Sequence, residues 1–245
     1  MDEIKQNVIT QTGTTDIKSF LVKGTFNDDM LASFLTFHNE CISKGDKEAI
    51  IYIDSPGGAV HTFASMQAII GSGDMTYHTV ALGHACSAGC LLTAMGHFRW
   101  AIPETNFMFH DAAWMEWGKP REMKENIELT EKWIDRVFTL FADQTDKTKD
   151  FWLDKAYSNY SNDYYFTSEE ALEYGMIDFI GLPKITKSSN CFIELPISPD
   201  DFEALQKKRE KIDAEKEKAE QKAISKASKK KVVKKKTTKK KTKKD

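Results

Sequence analysis

One unit recurs along this chain: an apolar run too short for a helix, a turn of small residues, then a helical stretch. Ala49-Ile50-Ile51-Tyr52-Ile53 shows no polar alternation, as expected of a strand covered on both faces. Asp54-Ser55-Pro56-Gly57-Gly58 follows as a predicted turn, and Ala64 to Ile70 as helix. The unit returns as a strand over Thr76 to Leu82, a turn holding Ser87, and a helical run from Leu91 to Met95. A further strand, Phe107-Met108-Phe109, ends at His110. Strands alternating with helices predict an α/β domain built of repeated strand–helix units.

The flanking segments extend this plan. Residues 1–15 are polar with Gly13 and read as a mobile lead-in, and Asp16 to Gly24 as the first strand. After a turn at Asn27-Asp28-Asp29, Met30 to Ser43 carries apolar residues at helical spacing until Gly45-Asp46 breaks it. Pro120 to Gln144 predicts one long helix, with Met123, Ile127, Trp133, Ile134, Val137, Phe138 and Phe141 near one face. Glu169 to Gly175 reads as a short helix stopped by glycine, and Met176 to Ile180 as the last strand. The folded body is thus expected over 16–185.

Beyond Pro183 the composition changes. Ser198-Pro199-Asp200-Asp201 has the cap, the proline and the first-turn acids of a helix start. The helix it opens, to about Ala227, is so rich in Lys and Glu that it has little face to bury; 186–227 reads as linker and charged helix. Residues 228–245 are lysine clusters spaced by Val-Val, Thr-Thr and Thr, a composition expected to stay disordered. The net charge of −2 hides this division: from Gln206 onward 19 Lys/Arg face 6 Asp/Glu, and before it 16 face 31. No apolar run approaches the ~20 residues of a membrane span, and no signal-peptide core stands at the start. Four cysteines without framework spacing, Cys41, Cys86, Cys90 and Cys191, suit a reducing, cytoplasmic setting.

The stretch Gly83-His84-Ala85-Cys86-Ser87-Ala88-Gly89-Cys90 is where chemistry is most readily built. Small neighbours let backbone and substrate approach the Ser87 hydroxyl, and a helix beginning there turns free N–H groups toward it. A buried cap is the ordinary alternative for such a serine. Acyl transfer by serine also needs a base, a carboxylate to hold the base, and N–H donors for the oxyanion. His110 at a strand end can be the base, or a solvent-facing histidine. Asp163 in Ser161-Asn162-Asp163-Tyr164-Tyr165 can orient it, or close a turn or cap a helix. Gly57-Gly58 can present backbone N–H groups, or merely turn. His84, Cys86 and Cys90 are metal-ligand types without an evident fourth ligand, so neither metal nor cofactor is expected. His61 and His84 read as structural, and Trp114 and Trp117 as packing.

Order and spacing join these signals. Ser55-Pro56-Gly57-Gly58, a small-residue serine 32 positions after Ser55, the Met108-Phe109-His110 strand end, and the run from Asp163 through Thr167-Ser168, Glu170-Ala171 and Glu173-Tyr174-Gly175 to Ile177-Asp178 together resemble the proteolytic subunit of the Clp protease (ClpP). The resemblance runs from about Asp16 to Ile180. It implies the ClpP/crotonase-like fold, with the long helix as a handle joining two stacked rings of a homo-oligomer. It implies peptide-bond hydrolysis by a triad of Ser87, His110 and Asp163, with the N–H groups of Gly58 and Ala88 as oxyanion hole. It implies protein or peptide substrates and an AAA+ unfoldase as feeder.

The chain departs from the family pattern in places. Ala88 stands where Met is common, and Asp111-Ala112 follows the histidine where Gln-Pro is usual, setting a carboxylate beside the base. The loop before Asp163 is longer than usual, with Asp154 as the fallback triad acid. The short lead-in bears on unfoldase docking, and the lysine tail is not a family feature. The tail suits nucleic acid bound non-specifically, a solubilising extension, or an acidic partner surface. Two other functions fit the same residues: a dedicated processing protease of the viral capsid-maturation type, and a non-catalytic ring subunit.

Overall fold

The computed structural model describes residues 8–11, 16–111, 119–157, 163–187, 191–208 and 210–211. The predicted lead-in over 1–7 and 12–15, Trp114 and Trp117, and the charged segment and lysine tail from 212 onward lie outside them. The chain divides into two units, Met1–Val8 with Ile197–Asp245, and Ile9–Pro196. In the first, 199–208 is helical. The Ser198 hydroxyl accepts the Asp201 N–H at 3.2 Å and donates to the Asp201 carboxylate at 2.7 Å, the cap that the sequence predicts.

The second unit, together with Val8, runs β1 (Val8–Gln11), β2 (Lys18–Phe26), α1 (Asp28–Lys44), β3 (Glu48–Gly58), α2 (Val60–Ile70), β4 (Thr76–Cys86), α3 (Ala88–Ala94), β5 (Phe98–Ala101) and β6 (Asn106–His110). It continues through α4 (Pro120–Asp143), α5 (Lys149–Tyr157), β7 (Asp163–Phe166), α6 (Ser168–Glu173), β8 (Phe179–Ile180), β9 (Lys184–Lys187) and β10 (Cys191–Leu195). Seven strands make the main sheet, ordered β2-β3-β4-β5-β8, with β6 joined to β4 and β7 to β6. Every pairing in it is parallel except β6 with β7. A smaller sheet has the order β1-β10-β9. The predicted strand–helix units are therefore present, and they form a parallel α/β sheet.

β4 forks. Its first half, His78 to Ala81, pairs with β5, and its last residues, His84 to Cys86, pair with β6. The fork opens a gap in the sheet at the carboxyl end of β4, which is where α/β sheets have room for a ligand. Helices pack where local chemistry starts and stops them. Asn27 caps α1 by accepting the Met30 N–H at 2.9 Å, Asp28 and Asp29 complement its first turn, and Gly45 ends it in the left-handed conformation. Thr167 and Glu170 form a reciprocal capping box at the start of α6.

One core holds these elements, with Val22, Ile51, Ile53, Phe34, Phe63, Met66 and Leu92 all buried in it. Around β6 it is aromatic: Phe109 lies 5.0 Å from Phe141, 5.1 Å from Phe138 and 5.1 Å from Trp152, centroid to centroid. This cluster seats the second half of α4 and α5 against the strand that carries His110. The first half of α4 is different. Residues 124–129 are exposed, including Ile127 at 43 % and Leu129 at 67 %, so the predicted apolar face outruns what this chain covers.

Several expectations are corrected. The predicted turn at Asp54 to Gly58 is strand: β3 continues to Gly58 and β4 to Cys86. Irregular registers absorb Pro56 and the glycines there. β1 stands inside the expected lead-in. β5, β7, α5, β9 and β10 have no counterpart in the sequence reading; all are short and lack a period long enough to register.

Arg99, 6 % exposed, ties β5 to the segment after α4. It gives Nε and Nη2 to Asp178 at 3.1 and 2.6 Å, and Nη1 to the Gln144 carbonyl. Removing one partner of such a buried pair leaves the other charge stranded. Arg99→Ala is therefore expected to cost about 3–5 kcal/mol of stability, measured as a lowered urea midpoint at unchanged slope.

Candidate active site

Ser87 sits between the last residue of β4 and the first of α3, with φ 52 and ψ −119. It is the one non-glycine residue of positive φ among the described residues. A left-handed residue costs strain unless its surroundings over-determine it, and here they do. The Ser87 N–H donates to the Met108 carbonyl on β6 at 2.7 Å, and its carbonyl accepts the Leu91 N–H at 3.0 Å. A sharp strand-to-helix turn of this kind lifts the hydroxyl clear of the sheet.

Gly57 explains how close the neighbouring strand comes. A Cβ there would stand 2.6 Å from Ser87 Cβ and 2.9 Å from the Cys86 carbonyl, at a φ of +100 that only glycine adopts without strain. Gly58 is as tightly held on its other side, where a Cβ would meet the Phe26 backbone at 2.5 Å. Ala88 is the first residue of α3, so its N–H has no acceptor within the helix.

His110 closes β6, and its Nε2 lies 2.8 Å from Ser87 Oγ. Asp163 opens β7, and the antiparallel register sets it directly opposite His110. The carboxylate Oδ1 lies 3.7 Å from His110 Nδ1, with the two side chains 22 % and 34 % exposed. That is ion-pair distance and about half an ångström too long for a hydrogen bond. Hydroxyl, imidazole and carboxylate thus lie in one line, its first link formed and its second still open. Asp163, read from the sequence as the acid that orients the base or else as a turn or cap residue, is in a strand, because pairing with β6 extends the Asp163-Tyr164-Tyr165-Phe166 segment. Asp154, the fallback acid, is exposed on α5.

Asp111, the carboxylate beside the histidine, accepts a hydrogen bond from the Tyr157 hydroxyl. Burial pushes the Tyr157 phenol above its ordinary pKa, and Asp111 and then Glu131 push it further. The thiols flanking Ser87 are also raised: Cys86 by burial and then by Asp163, and Cys90 by burial and then by Cys86. Cys90 is fully buried and reaches Met176 Sδ at 3.8 Å, while His84 is exposed and its backbone N–H bonds Asp54. Among the described residues no three His, Cys, Asp or Glu side chains form a metal-binding cluster. His61 pairs at the surface with Asp28 at 3.1 Å.

Beside Ser87 and His110 opens a cleft of about 450 Å³, measured out to its mouth. Leu91, Phe109 and the α4 residues Trp133, Ile134 and Val137 give it apolar walls. The sequence marks these α4 positions as one apolar face, and periodicity alone does not separate the part that packs from the part that lines a cleft. Among the described residues no helix is long and apolar enough to cross a membrane.

A family model described as Clp protease matches residues 21–184. The chain is 31 % identical over 174 residues to an ATP-dependent Clp protease proteolytic subunit of Bacteroides fragilis, covering 66 % of this chain and 78 % of that one. It is 32 % identical over 174 residues to the protein of the same description from Bacteroides thetaiotaomicron, covering 66 % and 73 %.

Two outcomes follow from the geometry. Gly57→Ala forces Ser87 to shift, and since misplacing a reacting group by about 1 Å costs about 10²-fold, labelling of Ser87 by a fluorophosphonate is expected to slow by about that factor. Asp111→Asn removes a negative charge from beside the Tyr157 phenol, so the Tyr157 ionisation is expected to move down in pH, read as phenolate absorbance in a difference titration against the parent protein.

Proposed function

The chain belongs to the Clp protease family, and we propose that it is a serine endopeptidase with Ser87 as nucleophile, His110 as general base and Asp163 as the group that orients the base. The observation that carries this reading is the 2.8 Å contact between Ser87 Oγ and His110 Nε2 at a backbone elbow of positive φ. As the hydroxyl oxygen attacks a peptide carbonyl, its proton passes to Nε2, and the carboxylate at 3.7 Å closes on Nδ1 as the imidazolium forms. The N–H groups of Gly58 and Ala88 stabilise the oxyanion. Collapse of the tetrahedral intermediate breaks the C–N bond, the leaving amine takes the proton from His110, and water repeats the sequence to free the acid. The apolar cleft beside Ser87 takes the side chain that precedes the cut bond, favouring an apolar residue there.

Chamber formation extends the same reading. The exposed apolar positions Ile127 and Leu129 on α4 suit a handle that packs against other subunits in stacked rings. Residues 16–185 act as the protease domain, extended by β9 and β10 to Leu195, and 228–245 act as a basic tail for nucleic acid or an acidic partner. Protein substrates reach the chamber from an AAA+ unfoldase.

Ser87→Ala is expected to reduce cleavage of a fluorogenic peptide to background, and His110→Ala to lower it by about 10²–10⁴-fold, both with native particle size unchanged by light scattering. Full cleavage by the Ser87→Ala protein would end the assignment.

A further inference from the structure

Ser55 is 0 % exposed and lies between two irregular points in the sheet. Between β2 and β3 the register passes from Lys23 opposite Asp54 to Thr25 opposite Gly57. Two residues of β3, Ser55 and Pro56, therefore face the single Gly24 of β2. The Ser55 hydroxyl fills that mismatch. It donates to the Gly24 carbonyl at 2.5 Å and accepts the Gly57 N–H at 3.1 Å. One residue past Gly58, the Ala59 N–H donates to the Phe26 carbonyl at 3.0 Å.

The consequence concerns the peptide unit between Gly57 and Gly58. Its N–H is that of Gly58, and Phe26 takes the N–H of Ala59 instead. Both flanking residues are glycines at positive φ, +100 and +144, so nothing intrinsic to them holds the unit in one orientation. It is held by its neighbours: the preceding N–H by Ser55 Oγ and the following one by β2. The Ser55 hydroxyl also fixes how near Gly57 stands to Ser87, where the space for a Cβ is already gone.

We propose that Ser55 is a positioning residue that aims the Gly58 N–H at the developing oxyanion by clamping the Gly57 N–H to the Gly24 carbonyl of β2. This rests on the assignment of Ser87 as nucleophile and of Gly58 as an oxyanion donor. Ser55 touches neither substrate nor the triad, and it acts through the backbone. Loss of the hydroxyl takes a partner from the Gly24 carbonyl and from the Gly57 N–H in a buried place and loosens the hold on the peptide unit. Binding of the substrate ground state, set by the cleft, is left alone, and stabilisation of the tetrahedral state is lost.

The test is steady-state hydrolysis of a fluorogenic peptide by the full chain, with turnover expressed per site labelled at Ser87 by a fluorophosphonate, so that unfolded protein does not count. For Ser55→Ala the expected result is a fall in kcat of about 10–100-fold, part of the effect of deleting an oxyanion donor, with KM within about twofold of the parent. A tetrahedral peptide boronate is expected to weaken with kcat while a non-reactive peptide ligand keeps its affinity. Ser55→Thr, which keeps the hydroxyl, is expected to restore kcat. Should Ser55→Ala yield no folded protein, Ser55→Cys carries the test, since its weaker hydrogen bonds predict the same direction of loss. Parent-like kcat per labelled site in Ser55→Ala or, failing that, Ser55→Cys overturns the positioning role alone. A parent protein that takes no label at Ser87 overturns the nucleophile assignment, and the positioning role with it.

Discussion

Parallel pairing of β3 with β4 continues past the point where a regular ladder would stop, and two adjacent side chains hold it there. Successive side chains of a strand face opposite sides of the sheet, and here Asp54 bonds β4 while Ser55 bonds β2. Asp54 accepts the His84 N–H at 3.1 Å, where three residues of β4 fall between partners in the register. Ser55 bonds the Gly24 carbonyl, where β2 has one residue against two. With both irregularities bridged, β3 stays paired with β4 as far as Ser55 and Ala85 and with β2 as far as Gly58. Gly57 and Ser87 each lie two residues past the Ser55–Ala85 pair, so Ser87 and the glycines meet because the pairing does not fray.

The fork in β4 supplies the rest of the geometry. Once β5 has left at Ala81 and β6 has joined at His84, the strand ending in His110 runs beside the strand ending in Cys86. Two parallel strands finishing at nearly the same level set a histidine beside the turn that follows the other strand. The antiparallel strand β7 then returns alongside β6, and its first residue faces its partner's last. Base and carboxylate come from positions 53 residues apart in sequence, yet they are cross-strand neighbours, whose Cβ atoms in such pairs lie about 5 Å apart. The aromatic cluster of Phe109, Phe141 and Trp152 underneath holds β6 at that height.

What was legible in the sequence follows from which interactions are local. The run Ala49 to Ile53 shows its burial in its composition, and the helix over Pro120–Asp143 shows itself by its period and its proline start. Ser87 and His110 stand out because each ends an apolar run. Asp163 could be preferred over a turn or cap reading only through a family resemblance, since Ser-Asn-Asp carries turn chemistry and the strand it begins exists through pairing with β6. The Ser55-Pro56-Gly57-Gly58 segment misleads for the same reason. Proline and two glycines signal a turn by local propensity, while hydrogen bonds to residues about 30 positions away draw them out as strand. The cleft wall on α4 was legible as an apolar face, but which residues of that face meet the core depends on where the Phe138 and Phe141 end is anchored.

Two thiols within three residues of Ser87 raise the question of which atom is the nucleophile. A cysteine competes with serine only as thiolate. Burial holds both Cys86 and Cys90 protonated, and the carboxylate that sits across from His110 adds to that for Cys86. The same negative charge opposes formation of a second anion at Cys86, adding to burial. With Ser87 as the proposed nucleophile and His110 as its proposed base, the β6–β7 register that places Asp163 serves the hydroxyl and not the thiol.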